Sequence, residues 1–133
     1  MKRLKRLSNN SIDITNIKEK DIVQAFIDAC YYELVCITDE DFLYEYSNIK
    51  SETSGYSRDI KLTNLIIDYF LNNVGLDTVY DELDENDINV ESNPDNDNYI
   101  KNVIKNYDKY TDRSIFEELD STIQEAYDSF YED

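Results

Sequence analysis

Apolar residues recur along this chain at helical spacing and nowhere in a sustained strand alternation. Val23, Phe26, Ile27, Cys30, Tyr31 and Leu34 fall at i, i+3, i+4, i+7, i+8 and i+11, and Asn16 followed by Glu19 has capping-box spacing, so a helix is expected to open near Asn16. Thr38 followed by Asp41 repeats that pattern, with Asp39 and Glu40 in the first turn and Phe42, Leu43, Tyr46 and Ile49 as the apolar face. This predicts a second helix to about Lys50. Residues 51–57, with Gly55, read as a loop. Leu62, Leu65, Ile66, Tyr69 and Phe70 then predict a helix ended by Gly75. Asp77 or Thr78 can cap a short helix through Val79, Tyr80 and Leu83, after which residues 85–97 lose periodicity and read as an acidic loop. Asn93 and Pro94 are expected as N-cap and first residue of a helix carrying Ile100, Val103, Ile104 and Tyr107. Ser114 and Glu117 form a last capping box ahead of Phe116, Leu119, Ile123, Tyr127 and Phe130. The expected architecture is an all-α, single-domain bundle of five or six helices over residues 16–133, with an acidic loop.

Residues 1–15 stand apart, basic at first and then rich in Ser and Asn, and are expected to be a flexible basic arm. The 133 residues are 41% hydrophobic and include 12 Tyr and 5 Phe, too apolar for a chain that stays unfolded. The formal net charge of -17 must therefore sit on a folded surface. The first twenty residues hold six Lys and Arg against two acids, a net +4, which leaves seven basic against 28 acidic side chains, or -21, on the rest. A field of that sign repels nucleic acid and anionic membranes, and its natural complement is a basic protein.

Much chemistry is missing. With no histidine, the commonest general base and transition-metal ligand is absent, along with every Ser-His or Cys-His pair. Two glycines twenty residues apart build no phosphate-cradling loop. As a calcium loop, Asp84 and Asn86 run into Ile88 at the fifth position. The register from Asn93 through Asp95 and Asp97 lacks the sixth-position glycine and puts Ile104 where a bidentate Glu belongs. No catalytic activity, metal or cofactor is expected. Cys30 and Cys36, six residues apart in a helix and so about 9 Å along its axis, exceed disulfide reach and read as buried thiols. No apolar signal segment or membrane span is evident, so the expected compartment is a reducing cytoplasm.

What remains is the disposition of carboxylates. Glu118, Glu125, Asp128 and Glu132 fall at steps of seven, three and four, one stripe opposite the apolar face of the last helix. Asp81, Glu82, Asp84, Glu85, Asp87, Glu91 and Asp95 crowd fifteen residues without one Lys or Arg. Like charges so dense cost stability and bring no internal gain, and they exceed what solubility asks of a small domain. Tyr31, Tyr69, Tyr107 and Tyr127 lie on apolar faces and read as core margin. Tyr32, Tyr44, Tyr80, Tyr99, Tyr110 and Tyr131 fall off or near those faces, where a phenol beside carboxylates suits stacking on arginine; Tyr80 and Tyr131 join the acids as candidate contacts.

In these carboxylate-bearing helices, in the segment Val74, Gly75, Leu76, Asp77 leading into the acidic loop with Pro94, and in the terminus Tyr131, Glu132, Asp133, the chain resembles a class of proteins. These are the small acidic phage-type inhibitors that imitate nucleic acid, among them antirestriction and anti-CRISPR proteins. The basic residues Lys2, Arg3, Lys5 and Arg6 depart from that pattern. The resemblance implies a non-enzymatic inhibitor, acting in the host cytoplasm on the basic groove of a nuclease, restriction enzyme or CRISPR effector. An immunity protein or antitoxin that neutralises a basic toxin, and an acidic adaptor, are the alternative expectations.

Overall fold

Helices supply every regular element among the described residues of the computed structural model, 12–35 and 37–132. The six α-helices are α1 (Glu19–Leu34), α2 (Glu40–Glu52), α3 (Gly55–Tyr69), α4 (Asp77–Glu85), α5 (Pro94–Lys105) and α6 (Glu117–Phe130). The expected all-α class is thus found. None of the six is long and apolar enough to cross a membrane.

The chain divides into two compact units. Among the described residues the first comprises 12–29 and 75–115, the second 30–35, 37–74 and 116–132, so α1 contributes its first eleven residues to one and its last five to the other. In the first unit the buried side chains include Ile22, Val23, Phe26 and Ile27 of α1, Val79, Tyr80 and Leu83 of α4, and Ile100, Val103 and Ile104 of α5. In the second they include Leu34, Phe42, Leu43 and Tyr46, then Leu62, Ile66, Ile67 and Phe70, and Leu119 and Ile123 of α6.

Local chemistry sets several helix ends. Asn93 accepts the Asn96 N–H at 2.8 Å with Pro94 in the first turn, so α5 opens where the sequence places it. For α2 the cap is Asp39, one residue past the expected Thr38; its carboxylate accepts from the Asp41 and Phe42 N–H groups. Arg58 of α3 then folds back on α2, donating to the Lys50 and Thr53 carbonyls at 2.6 and 2.7 Å, and so satisfies acceptors left over at that helix end. Because this clasp needs only residues 53 and 54 between the helices, the expected loop over 51–57 is shorter than its Gly and Ser content suggests. Gly55, at φ +61, begins α3 instead. At its far end α3 widens into a π-helical turn, Phe70–Val74, which Gly75 closes at φ +92.

Two expected capping boxes are absent. Asn16 lies in a 3-10 turn, Ile14–Asn16, whose start is held by Asp13 accepting from the Thr15 N–H and hydroxyl, and α1 opens only at Glu19. Those hydrogen bonds hold the Asp13 carboxyl below the usual range, the bond from the Thr15 N–H most of all. Ahead of α6, Ser114 donates its N–H to Asp112 within a 3-10 turn, Arg113–Phe116, and caps nothing.

The arm expected over residues 1–15 falls outside the described residues up to position 11. From Ile12 on the chain belongs to the fold: the Ile12 N–H donates to the Asn89 carbonyl at 2.7 Å, and Ile14 and Ile17 are buried. Cys30 is buried as expected, and burial first, then the Glu33 charge, pushes its thiol well above the ordinary value. Cys36 lies outside the described residues.

Candidate functional site

Two carboxylate surfaces emerge, one on each unit. On the first unit α4 carries Asp77, Asp81, Glu82, Asp84 and Glu85 in nine residues without a cation. At 100° per residue they occupy an arc of about 160°, opposite the buried Val79, Tyr80 and Leu83. Asp81 and Glu82 thus lie in the short helix expected through Leu83, and that helix runs on to take in Asp84 and also Glu85, with which the expected acidic loop begins. Glu85 is exposed, whereas Asp81, Glu82 and Asp84 are half-buried. Partial desolvation raises the Glu82 carboxyl above its ordinary value, and the negative fields of Glu85, Asp28 and Asp81 raise it further. Asp28 belongs to α1. The fold alone brings it to this face, and nothing in its local sequence pattern singles it out.

The α4 end has its own logic. The Asp87 N–H donates to the Asp84 carbonyl at 3.0 Å and the Ile88 N–H to the Leu83 carbonyl at 2.9 Å, with Asp87 at φ 63. This is a Schellman closure with aspartate at the left-handed position that glycine usually holds. Asp87 thus ends a helix while leaving its side chain exposed, as are those of Glu91 in the following segment and Asp95 in the first turn of α5.

Tyr80 is a correction. It is 2% exposed, its ring lies in the core, and its hydroxyl donates to Asp97 Oδ1 at 2.5 Å; burial, then that carboxylate, drives its ionisation to strongly alkaline pH. A side chain so enclosed cannot stack on a partner's arginine. It reads as peripheral in sequence because a phenol among acids looks exposed, yet at three residues before Leu83 it shares the buried face.

On the second unit Glu118, Glu125 and Asp128 are exposed along α6, and Glu132 is exposed just past its end. The stripe is partly tethered: the Tyr31 hydroxyl donates to Glu118 Oε2 at 3.3 Å, and Gln124 Nε2 donates to Asp128 Oδ1 at 3.0 Å. Tyr131 is 47% exposed, its ring tilted at 47° against Tyr127 at 4.7 Å and edge-on to Phe130 at 4.9 Å. Desolvation, then Glu40 of α2, raises its phenol above the ordinary value.

Sequence reasoning passes over Asp120. This carboxylate receives the hydroxyl of the buried Tyr46 at 2.7 Å and Lys50 Nζ at 3.3 Å, and Tyr46 also donates to Gln124 Oε1. It fastens α6 to α2 and so orients the stripe. The half-exposed Lys50 pair adds little energy of its own.

Beside the stripe lies a recess of about 410 Å³ lined by Val35, Ile37, Thr38, Glu125, Ala126, Ser129 and Phe130. Among the described residues no group of three or more His, Cys, Asp or Glu is disposed to hold a metal ion. The groups offered to a partner are carboxylates and phenols, acceptors and stacking faces for Lys and Arg. Fold and surfaces together define an acidic all-α protein. The chain matches no family model, no curated protein and no solved structure.

Proposed function

We propose that this protein is a nucleic-acid mimic, an inhibitor whose carboxylates take the phosphate positions in the Lys/Arg-lined groove of a host defence nuclease, as an antirestriction or anti-CRISPR protein does. The observation that carries this reading is the charge density of α4. Its five carboxylates span about 12 Å of helix axis, an average step of roughly 3 Å, against about 3.4 Å between successive charges along a single DNA strand. The acidic stripe of α6, also without a cation, presents a second such surface. Both are carried on helices, which hold charges in place without the ordering cost of a flexible tail. Rim charges of this kind steer association and weaken with salt.

Capture of the partner from host lysate, followed by competition with duplex DNA or RNA, tests the proposal. The protein and the nucleic acid should exclude one another. Replacing Asp81, Glu82 and Glu85 by Lys should reduce affinity by more than about a hundredfold at low salt while the fold is kept, since each attraction becomes a repulsion. A stable complex containing partner, inhibitor and saturating nucleic acid together would refute mimicry.

A further inference from the structure

We propose that the recess beside the α6 stripe docks a basic amphipathic segment of the partner protein, which inserts one apolar side chain and lays its Lys or Arg side chains on the rim. The inference rests on the reading that the acidic surfaces bind a basic protein, and adds an apolar anchor to it. Two large apolar side chains stand open here, Val35 at 51% and Phe130 at 37% exposure, with the half-exposed Tyr131 against Phe130. Isolated exposed apolar residues are ordinary, but these two line one concavity whose volume of about 410 Å³ is within the range that takes a side chain or small ligand.

Charge complementarity selects the occupant. α1 ends at Leu34 and α6 at Phe130, so the recess, lined by Val35 and Phe130, sits where two helices bring their C-terminal ends. Neither helix has a basic residue in its last turn to offset the negative end of its dipole, equivalent to about half a charge each. Glu125 lines the recess and adds a full negative charge, and Tyr131 offers a ring face on which a guanidinium stacks. An acidic or neutral apolar segment would meet uncompensated negative potential. A second copy of this chain, at -17, would be repelled as a body.

The test uses a fluorescein-labelled helical peptide with arginines on one face and leucines on the other, titrated with the full chain by anisotropy at low salt. Replacing Val35 and the more covered Phe130 together by Ser should weaken binding at least about tenfold while the chain keeps its helical circular-dichroism signal at the titration temperature. Glu125→Gln should weaken it a few-fold and flatten its salt dependence, and a peptide with serines in place of leucines should bind as poorly as the double variant predicts. If the double variant or the serine peptide binds within twofold of the parent pair, charge alone is responsible and the recess is not a docking site; nucleic-acid competition for the captured partner would be untouched by that result. A dimer in sedimentation that dissolves in the double variant would instead make a second copy the occupant. A tenfold gain in peptide affinity on replacing Lys2, Arg3, Lys5 and Arg6 by Ser would assign the recess to the chain's own basic segment. Either outcome overturns the proposal.

Discussion

Replacing Glu82 by Gln should stabilise the protein at neutral pH, because the α4 surface holds this carboxylate among like charges. Glu85 lies one turn on, Asp28 approaches from α1 and Asp81 adjoins it. Like-charge neighbours on a helix cost about 0.2–0.5 kcal/mol each, and two of these face Glu82, so removal of the charge should gain about 0.5–1 kcal/mol after screening at this half-buried position. For a chain of this size that is about 2–3 °C in Tm. The sign with pH follows from the raised carboxyl: between the ordinary glutamate value of 4.5 and the higher folded value, the native state holds the proton more often than the unfolded chain does. Native stability from this group is therefore full below about pH 4 and lost as pH rises through the folded value. Glutamine cannot ionise and escapes the loss. Urea titrations at pH 7 and pH 3.5 should show the variant ahead at the first and level with the parent at the second. An equal advantage at both pH values, or none at pH 7, would refute the account of crowded charge on α4.

Gly75→Ala should cost about 1–2 kcal/mol by urea midpoint, since no atom lies within 4 Å of an added Cβ and the φ of +92 alone opposes it. An unchanged midpoint would mean that the turn relaxes without strain. Tyr80→Phe should cost about 1–2 kcal/mol of stability through loss of the hydrogen bond to Asp97 and leave partner affinity unaltered; weakened binding with intact stability would return Tyr80 to the contact surface. Asp87→Gly should raise stability by about 0.5 kcal/mol, seen as a small upward shift in thermal melting, because the left-handed position suits glycine better than aspartate. A drop would mean that the Asp87 side chain holds the turn.

Features fixed within one turn of helix were legible in the sequence. The α1 positions Val23, Phe26, Ile27, Cys30 and Leu34 are all buried, and Asn93 with Pro94 opens α5, because periodicity and capping act between residues three or four apart. Caps misled where a competing local contact won, as when Asp13 and Asp112 closed 3-10 turns near Asn16 and Ser114. Tyr31 shows the limit of a face read from spacing: it shares the α1 stripe yet is 36% exposed, its hydroxyl reaching Glu118. At the candidate surfaces, the stripe of α6 could be drawn on a helical wheel, whereas Asp28 beside Glu82 and Asp120 beneath Tyr46 could not. Their neighbours come from segments far away in the chain, and no local pattern encodes that meeting.

The interleaving of the two units bears on how the chain reaches its native state on the ribosome. Residues 30–74 emerge early but lack the partners supplied by residues 116–133: Tyr31 waits for Glu118 across a separation of 87 residues, and Tyr46 for Asp120 across 74. Loops of that length raise the entropy of closure only logarithmically, so the finished contacts are affordable, but they make the search slow compared with that of a sequentially wound bundle. Until α6 clears the exit tunnel, the nascent second unit must hold Phe42, Leu43 and Tyr46 without the segment that carries Leu119 and Ile123. A chain cut short before α6 would expose that apolar surface to chaperones and proteases and should leave no stable product.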